Sequence, residues 1–398
     1  MLLSIAHTPG MIERVGDGSD VAGSDLGRWD SLPLPAIVEL MASFDARWWF
    51  TGGHALELHL GRSWRGHDDV DIGICRRAAR HLSGLPDEWE ILVAAQGVLT
   101  PWDRRELCAD RHENNLWLRR HGGPWRLDVT VGEGDVDAWE YRRDASLRLP
   151  WERVVLSSAN GLPYLAPALQ LLFKSTNVRP KDQIDAEIVI PELDAWSLAL
   201  LDVRLPRDHP WATLVAARRH GVTGCDVVEL VDVLDAAEVA VWVDGGWGVD
   251  ALVGEQTRAH ADLDLAIPTR QFERARAALE FESFVLVRDD GPYNVVVGDP
   301  AGRLVDLHAF DDTTTVVGAD GVERHGPDGL AYEAGGFTGA GYIERRSVRC
   351  MSAAFQMRSH TGYPVDHDDW HDVSHLHRRF DLPIPADYDE WLDATSEP

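Results

Sequence analysis

The chain has 398 residues, enough for two ordinary domains, and its 44% hydrophobic and 26% charged residues are typical of a soluble globular protein. Its apolar runs are all shorter than the roughly 18 residues of a membrane span, so we expect none. The formal net charge of −28 argues against a nucleic-acid partner, because phosphate backbones are bound by basic patches, and it suits a cationic small molecule.

The chain start and the cysteines indicate the compartment. Residues 1–30 have neither the basic start nor the apolar length of a signal peptide, and we expect a loose leader there. The four cysteines lack the paired spacing of a disulfide framework or a zinc site. We therefore expect a cytoplasmic protein.

An internal repeat organises the rest of the sequence. A shift of 193 residues aligns WWFTGGHALELHLGRSWRGHDDVDIGI (48–74) with VWVDGGWGVDALVGEQTRAHADLDLAI (241–267), including a Gly pair and an Asp-x-Asp triplet in each. The flanking segments match as well. Because this period is too long for a solenoid, we expect two tandem domains, 31–205 and 223–395, joined by a linker at 206–222.

The predicted elements follow the same order in both copies: an amphipathic helix, a short strand, the Gly pair, a second helix and the strand that carries the acids. In chain order they lie at 36–46, 48–51, 54–60 and 69–74, and again at 226–237, 240–243, 247–253 and 262–267. Later strands are expected at 115–119, 126–131, 293–298 and 303–310, and helices at 269–280, capped by Thr269, and 368–380. Strands followed by helices predict an α+β fold.

The acid-bearing strands carry the first half of a candidate site. Side chains alternate across a strand, so both acids of each triplet share one face: Asp262 and Asp264 in the second copy, Asp69 and Asp71 in the first. Adjacent carboxylates repel, so we expect a cation between them, and paired oxygen ligands favour Mg²⁺. A third acid in a later apolar strand, Asp306 or Asp128, would complete the metal site or act as a base.

The Gly pairs, Gly52-Gly53 and Gly245-Gly246, carry the second half. Glycine between a strand and a helix lets the backbone turn sharply and approach a ligand, and the helix N-terminus presents N–H groups to an anion. Neither a Walker loop nor a dinucleotide-binding pattern is present at these pairs. Glycines for phosphates beside carboxylates for magnesium predict nucleotidyl transfer.

This order of motifs resembles the DNA polymerase β-type nucleotidyltransferase superfamily. The second copy is similar to the antibiotic nucleotidyltransferases that adenylylate lincosamides or the 2″-hydroxyl of aminoglycosides, over nearly all of 223–395. The resemblance lies in WVDGGWGVDALVG, R-x-H-x-D-L-D, VDLH, VRCMSAAFQMRSHTGY and DWHDVSHLHRRFDLPIP. The first copy looks like a more divergent member, with His54 where the second has Trp247. The resemblance implies two tandem nucleotidyltransferase-fold domains, each a small mixed sheet with helices and a C-terminal helical part.

The resemblance also implies roles, position by position. Asp262 and Asp264 would bind Mg²⁺, Asp306 would activate the acceptor hydroxyl, and Gly245 and Gly246 would lie against the triphosphate. The matching residues of the first copy are Asp69, Asp71, Asp128, Gly52 and Gly53. The implied reaction is in-line attack of a small-molecule hydroxyl on the α-phosphorus of a nucleoside triphosphate, ATP above all, with release of pyrophosphate.

A second group of residues could contact the nucleotide or could be structural. It comprises Arg258, His260, Arg65, His67, Trp247 and the two lysines, Lys174 and Lys181. The second copy has no lysine, so His360, Arg358 or Arg345 would have to take that part. Glu333 and the acids around 366–369 could recognise a cationic substrate, or could form a solvated acidic face.

Several alternatives stay open at this point. The acceptor could be an antibiotic, a biosynthetic intermediate, or a protein or tRNA, although the acidity of the chain weighs against tRNA. One copy could be a non-catalytic partner of the other. The chain could be a monomer with an internal pseudo-dimer, or a homodimer.

Overall fold

The computed structural model describes residues 27–219 and 221–395. The chain divides into two units, Met1–Leu193 (unit 1) and Asp194–Pro398 (unit 2). The division thus falls before the expected domain end at 205. The expected linker, 206–222, contains a short helix within unit 2, and the side chains of Trp211 and Val215 in it are fully buried.

Most of the expected leader, 1–30, lies outside the described residues. Its end is not loose, because the indole ring of Trp29 packs against that of Trp117 at 5.1 Å and its backbone forms a parallel bridge with Trp125. Two large aromatic contacts of this kind bury enough apolar surface to fix a chain end.

Unit 1 contains four α-helices and ten strands in its described part. The helices are α1 (Leu34–Met41), α2 (Gly52–Leu60), α3 (Pro167–Ser175) and α4 (Pro180–Val189). The strands are β1 (Trp48–Phe50), β2 (Asp71–Cys75), β3 (Trp89–Ala95), β4 (Val98–Pro101), β5 (Asn115–Arg120), β6 (Trp125–Gly134), β7 (Ala138–Glu140), β8 (Arg148–Pro150), β9 (Val155–Ser157) and β10 (Pro163–Leu165).

Unit 2 contains eight α-helices and nine strands in its described part. The helices are α5 (Ala195–Arg204), α6 (Ala212–Ala216), α7 (Gly224–Ala236), α8 (Gly245–Val253), α9 (Phe272–Phe281), α10 (Ala353–Ser359), α11 (His367–Phe380) and α12 (Asp389–Thr395). The strands are β11 (Trp242–Val243), β12 (Leu263–Pro268), β13 (Val285–Asp289), β14 (Asn294–Gly298), β15 (Leu304–Phe310), β16 (Thr315–Val317), β17 (Glu323–His325), β18 (Gly339–Ile343) and β19 (Arg346–Cys350).

The main sheets of the two units have the same strand order. It runs β4-β3-β5-β6-β2-β1-β10-β9 in unit 1 and β13-β14-β15-β12-β11-β19-β18 in unit 2, so that β4 is the additional edge strand of unit 1. In both, the acid-bearing strand (β2 or β12) pairs parallel with β6 or β15 and antiparallel with β1 or β11. The α+β class is confirmed, and the shared order agrees with a duplication.

Alternation along β12 and β15 decides which side chains reach the site. Leu263, Leu265 and Leu307 are fully buried in one core with apolar residues of α7 and α9. The side chains between them, including Asp264 and Asp306, therefore lie on the opposite face. A register slip of one residue would move these carboxylates into the core, so burial of the leucines fixes the position of the acids.

One predicted cap is wrong. Thr269 does not cap a helix, because a 3-10 turn at Thr269–Gln271 precedes α9 and the Thr269 hydroxyl donates to the backbone oxygen of Asp328. The hydroxyl is thereby withdrawn from the first amides of α9. Within the described residues, the helices are all too short or too polar to cross a bilayer, and Cys75, Cys108, Cys225 and Cys350 are free thiols.

Candidate active site

The N-terminus of α8 lies directly against the acid-bearing strand. Gly245 has φ +56°, and a Cβ atom there would lie 2.1 Å from Oδ2 of Asp264. Only glycine accepts both the left-handed backbone and this approach. The Gly245 amide is not open to a phosphate, since it donates to Oδ1 of Asp244 at 2.9 Å. The Gly pair therefore sets the distance between helix and carboxylate.

Asp264 meets a second carboxylate across the sheet. β12 and β15 pair in parallel with Asp264 opposite Asp306. One ligand atom each from Asp264, Asp306 and His308 lie within 4.8 Å of one another. Among the described residues, Oδ1 of Asp306 is buried without a hydrogen-bond partner. Asp262, expected as the second metal ligand, comes just before β12 and is not in this group of three.

The charges of this group perturb one another. Burial raises the pKa of Asp264 well above its usual value, and the carboxylates of Asp262 and Asp306 raise it further. Burial lowers the pKa of His308, but contact with Asp306 and the charges of Asp264 and Asp244 outweigh it and raise the pKa to about 9. The site carries excess negative charge, for which a proton on His308 and a divalent cation would compete.

A buried network holds His308 from behind. The Tyr332 hydroxyl donates to Oδ2 of Asp244 at 3.0 Å and lies 3.1 Å from Nδ1 of His308. Asp244 is held in turn, because Oδ1 accepts from Nε2 of Gln356 at 3.1 Å. No role was predicted for these residues from the sequence. The sequence did contain a signal for His308, because its spacing of two residues from Asp306 puts both side chains on one face of a strand. Tyr332 lies in a loop, and we find no sequence signal for its role.

The donors present fit a divalent cation. Mg²⁺ is bound in proteins through one or two carboxylates together with substrate phosphates. Asp264 and Asp306 supply such a pair, and Oδ1 of Asp306 is buried, with Nε2 of His308 3.2 Å away as its nearest described partner. Arg288, also missed in the sequence, lies nearby with Nη2 3.5 Å from Oδ2 of Asp306.

The arginine and histidine expected to contact phosphate are paired with carboxylates. Arg258 donates from Nε and Nη2 to the two oxygens of Asp372 at 3.0 and 2.7 Å. Nε2 of His260 lies 2.5 Å from Oδ2 of Asp250. A Cβ at Gly246 would lie 2.4 Å from His260 and 2.5 Å from Arg258. The second glycine of the pair is thus required for packing against this ion-pair cluster.

Unit 1 repeats this arrangement. Arg65 donates to both oxygens of Asp185 at 2.8 and 2.9 Å, and Nε2 of His67 lies 3.0 Å from Oε1 of Glu57. A Cβ at Gly53 would lie 2.3 Å from both Arg65 and His67. In both units, therefore, the geometry favours the structural interpretation of the Arg and His that the two copies share over a phosphate contact.

Three other expected nucleotide contacts are also placed differently. Trp247 is 2% exposed and lies in the core, its ring 4.6 Å from that of His260, so it offers no surface to a nucleotide. Lys174 is buried, with Nζ 2.5 Å from Asp182 and 3.1 Å from Asp185. Lys181 lies half-buried in the first turn of α4.

His360 takes a place in unit 2 like that of Lys174 in unit 1. Its Nε2 lies 3.5 Å from Oδ2 of Asp372, the carboxylate that also binds Arg258. Arg358, the second candidate, is exposed and pairs with Glu333 through Nε at 3.2 Å. The position equivalent to Lys174 is therefore occupied by His360, which can be cationic or neutral. Like the lysine, this histidine faces a buried carboxylate.

The carboxylates of unit 1 meet in the same register and have different neighbours. Asp71 lies opposite Asp128, and a Cβ at Gly52, with φ +67°, would lie 2.5 Å from Oδ2 of Asp71. The two oxygens of Asp128 accept hydrogen bonds from Nδ2 of Asn115 at 2.9 Å and Nε1 of Trp117 at 3.0 Å. Asp69, like Asp262, precedes its strand.

The strand registers show that one of these neighbours is kept in unit 2, where Asn294 is opposite His308 as Asn115 is opposite Thr130, and that the other is replaced. Trp117 is opposite Asp128, whereas Val296 is opposite Asp306. Two residues after the acid, unit 1 has Thr130 and unit 2 has His308. Asp306 thus lacks the tryptophan donor that Asp128 has in unit 1, and it has His308 and Arg288 as neighbours instead.

Comparison with known families agrees with this geometry. The aminoglycoside-2''-adenylyltransferase family model matches residues 33–88 and 226–376, together just over half of the chain. The chain belongs to this family. The predicted enzyme class, nucleotidyltransferase, is confirmed, and the matched ranges fall in both units.

Individual members of the family match mainly one copy's length. A lincosamide resistance protein of Staphylococcus haemolyticus is 25% identical over 162 residues, 40% of this chain and 97% of that protein. A 2''-aminoglycoside nucleotidyltransferase of Klebsiella pneumoniae is 33% identical over 125 residues, 31% of this chain and 64% of that enzyme. Among solved structures, a lincosamide antibiotic adenylyltransferase with bound lincomycin is 23% identical, with 39% and 97% of the two chains covered and a TM-score of 0.34.

Proposed function

We propose that unit 2 transfers AMP from Mg·ATP to a hydroxyl group of an aminoglycoside- or lincosamide-type antibiotic, with release of pyrophosphate. The observation that carries the proposal is the pair of carboxylates, Asp264 and Asp306, side by side on parallel strands at the N-terminus of α8. The acceptor class is supported by the names of the relatives, which are lincosamide and aminoglycoside nucleotidyltransferases. ATP is available in the cytoplasm, the location expected from the sequence.

The reaction needs a base, a cation site and precise placement. The acceptor oxygen forms a bond to the α-phosphorus, the bond to the pyrophosphate oxygen breaks, and the hydroxyl proton passes to Asp306 and then to solvent. Asp264 and Asp306, with Asp262 beside them, would hold Mg²⁺, which offsets phosphate charge when bound. In phosphoryl transfer most of the rate enhancement comes from positioning and charge neutralisation.

Several contacts fix the positions of these groups. Strand pairing places Asp264 and Asp306 in register, and Gly245 brings the first turn of α8 against Asp264. The partial positive charge at the N-terminus of α8 favours a triphosphate there. Arg288, 34% exposed and 3.5 Å from Asp306, adds a cation that can reach the same phosphates.

We assign the transfer to unit 2 because of the environment of the third acid. In unit 1, Asn115 and Trp117 donate to both oxygens of Asp128. Hydrogen bonds to the charged form lower the basicity of a carboxylate and occupy the lone pairs that a cation would need. Unit 1 therefore fits the role of a non-catalytic partner, one of the alternatives that the sequence left open.

The acidic residues expected to bind a cationic acceptor divide into two kinds. Asp366 caps α11, where Oδ1 accepts from the amides of Asp368 and Asp369, so this cluster is explained by the helix terminus. Glu333 pairs with Arg358 near the surface. It directly follows Tyr332 of the His308 network, and a cationic acceptor could exchange with the arginine at this position.

The test is product mass. The full chain is incubated with Mg²⁺, each nucleoside triphosphate and a panel of antibiotics, and a gain of one nucleoside monophosphate identifies donor and acceptor together. We expect Asp264→Asn to abolish the product and the matched change in unit 1, Asp71→Asn, to leave it. The reverse result would move the activity to unit 1.

Two further outcomes would overturn the proposal. Full activity in the triple variant Asp262→Asn, Asp264→Asn, Asp69→Asn would exclude the carboxylates from the reaction. If no combination of donor and antibiotic gives a product, while hydroxyl-bearing biosynthetic intermediates do, the acceptor class is wrong although the enzyme class stands.

A further inference from the structure

We propose that His308 is a ligand of the divalent cation in unit 2, through Nε2, and that this site therefore binds Mn²⁺ more tightly than Mg²⁺. The inference rests on the proposed function, because it takes the site of Asp264 and Asp306 as the metal site. It adds an imidazole ligand and a metal preference to a site predicted from the sequence to have oxygen ligands only.

The distances support a shared ion. Nε2 of His308 lies 3.2 Å from Oδ1 of Asp306. Adjacent ligands of an octahedral ion with bonds of about 2.1 Å lie about 3 Å apart, so these two atoms already have ligand spacing. Asp306 is 8% exposed, and within the described part of the chain Oδ1 has no hydrogen-bond partner. A buried carboxylate oxygen left in this way is a strong acceptor for a cation.

The hydrogen bonds behind His308 leave Nε2 free to bind a metal. The Tyr332 hydroxyl has one hydrogen, which it donates to Asp244. Its oxygen can therefore only accept from Nδ1 of His308, 3.1 Å away, so the ring hydrogen resides on Nδ1. Nε2, 3.2 Å from Oδ1 of Asp306, is then the ring nitrogen at which a bound cation would replace the proton. Histidines that bind metals are oriented in the same way, by donating the other ring N–H to a fixed acceptor.

The nitrogen ligand determines the metal preference. Mg²⁺ prefers oxygen ligands and keeps several of its waters. Imidazole favours later divalent ions, and affinity for mixed N/O sites increases along the first transition row from Mn²⁺. Mn²⁺ also accepts the carboxylates of Asp264 and Asp306, so it satisfies all three ligands.

Unit 1 provides an internal comparison. It has Thr130 at the position of His308 and Thr51 at the position of Asp244. The two carboxylates of unit 1 keep the same register, so a cation bound there would have oxygen ligands only. A nitrogen signal from bound metal therefore distinguishes the two units in the same molecule.

The experiment uses Mn²⁺ alone with the full chain and without nucleotide. Electron paramagnetic resonance counts the bound Mn²⁺, and electron spin-echo envelope modulation detects ¹⁴N coupled to it. Mn²⁺ bound only by surface carboxylates and water gives no such coupling, because these ligands contribute only oxygen. We expect ¹⁴N modulation in the unmodified chain, its loss in His308→Asp, and its retention in Asp71→Asn.

Two affinity measurements complete the test. His308→Asp keeps a charged oxygen donor, so we expect the ratio of Mn²⁺ to Mg²⁺ affinity to fall at least tenfold. Tyr332→Phe removes the acceptor that orients the ring, and loss of such an interaction costs about 10- to 100-fold in metal affinity. Circular dichroism of each variant without metal verifies that it folds.

The outcomes separate this inference from the proposed function. Absence of ¹⁴N modulation in the unmodified chain, or its persistence in His308→Asp, would overturn the inference even if Asp264 is essential for transfer. Conversely, ¹⁴N modulation that depends on His308, in a protein that transfers no nucleotide to any acceptor, would support the metal site and refute the proposed function.

Discussion

Replacement of Gly245 by alanine tests whether the glycine sets the position of the Asp264 carboxylate. The added Cβ would lie 2.1 Å from Oδ2 of Asp264, at a backbone φ of +56°. Ordinary contacts between carbon and a neighbouring atom are about 3.5 Å. The carboxylate, or the first turn of α8, must therefore move by at least about 1 Å.

The two consequences of this change have different magnitudes. A left-handed backbone costs a residue other than glycine about 1–2 kcal/mol, which lowers the free energy of unfolding. A displacement of about 1 Å at a reacting group can cost about 100-fold in rate. We therefore expect Gly245→Ala to lower kcat for nucleotidyl transfer about 100-fold, with only a modest loss of stability.

Two other glycines provide matched controls. Gly254 ends α8 at φ +92° with no described atom within 4 Å of the added Cβ, so Gly254→Ala imposes backbone strain without a clash. Gly52→Ala imposes the same strain and a clash with Asp71 in unit 1. We expect all three variants to lose about 1–2 kcal/mol of unfolding free energy in urea titrations. Only Gly245→Ala should lose transfer in a pyrophosphate-release assay.

An equal kcat for Gly245→Ala and Gly254→Ala would refute the reasoning, because it would show that the Asp264 carboxylate tolerates displacement. A loss of transfer in Gly52→Ala as large as in Gly245→Ala would contradict the assignment of the reaction to unit 2.

Two further predictions concern residues assigned here to the interior of unit 2. Burial raises the pKa of Asp372, but hydrogen bonds from His360 and Arg258 outweigh it and lower the pKa to about 2. The stabilisation, about 2 kcal/mol, is therefore present above about pH 4 and is lost as the pH falls towards 2. Urea titrations over that range should show that the free energy of unfolding depends less on pH in Asp372→Asn than in the unmodified chain. An unchanged pH dependence would contradict the ion pair. Trp247→Phe should lower the free energy of unfolding by about 1 kcal/mol and leave KM for the nucleotide unchanged, because Nε1 of Trp247 has no hydrogen-bond partner among the described residues. Trp247→Ala should lower the free energy of unfolding by about 3–5 kcal/mol. A tenfold rise in KM for Trp247→Phe would show that the ring contacts the nucleotide.

Much of the fold could be predicted from local pattern. The helices around 226–237 and 368–380 and the strands around 262–267 and 303–310 agree with the structure to within a few residues. Their apolar periodicity reflects burial, which is the dominant favourable term in folding. The repeat predicted each element a second time, in the other copy. In agreement with the repeat, the main sheets of the two units share one strand order.

The differences between these predictions and the structure fall where a tertiary contact outweighs a local signal. Thr269 has the residue type of a cap, but its hydroxyl donates to Asp328, 59 residues away in sequence. The segment 206–222 has the composition of a linker, but the side chain of Trp211 in it is fully buried. Both cases depend on long-range partners that no window of sequence contains.

The sequence by itself determined the two tandem copies, the α+β class and the position of Asp264 and Asp306 within apolar strands, because periodicity and spacing are properties of the chain. Tertiary structure alone decided which of the candidate groups face one another. It paired Arg258 with Asp372, brought Tyr332 to His308, and covered Asp128 with Trp117. Side chains of equal chemical type thereby have different surroundings in the two units, since charge, burial and hydrogen bonding depend on neighbours that only the folded chain brings together.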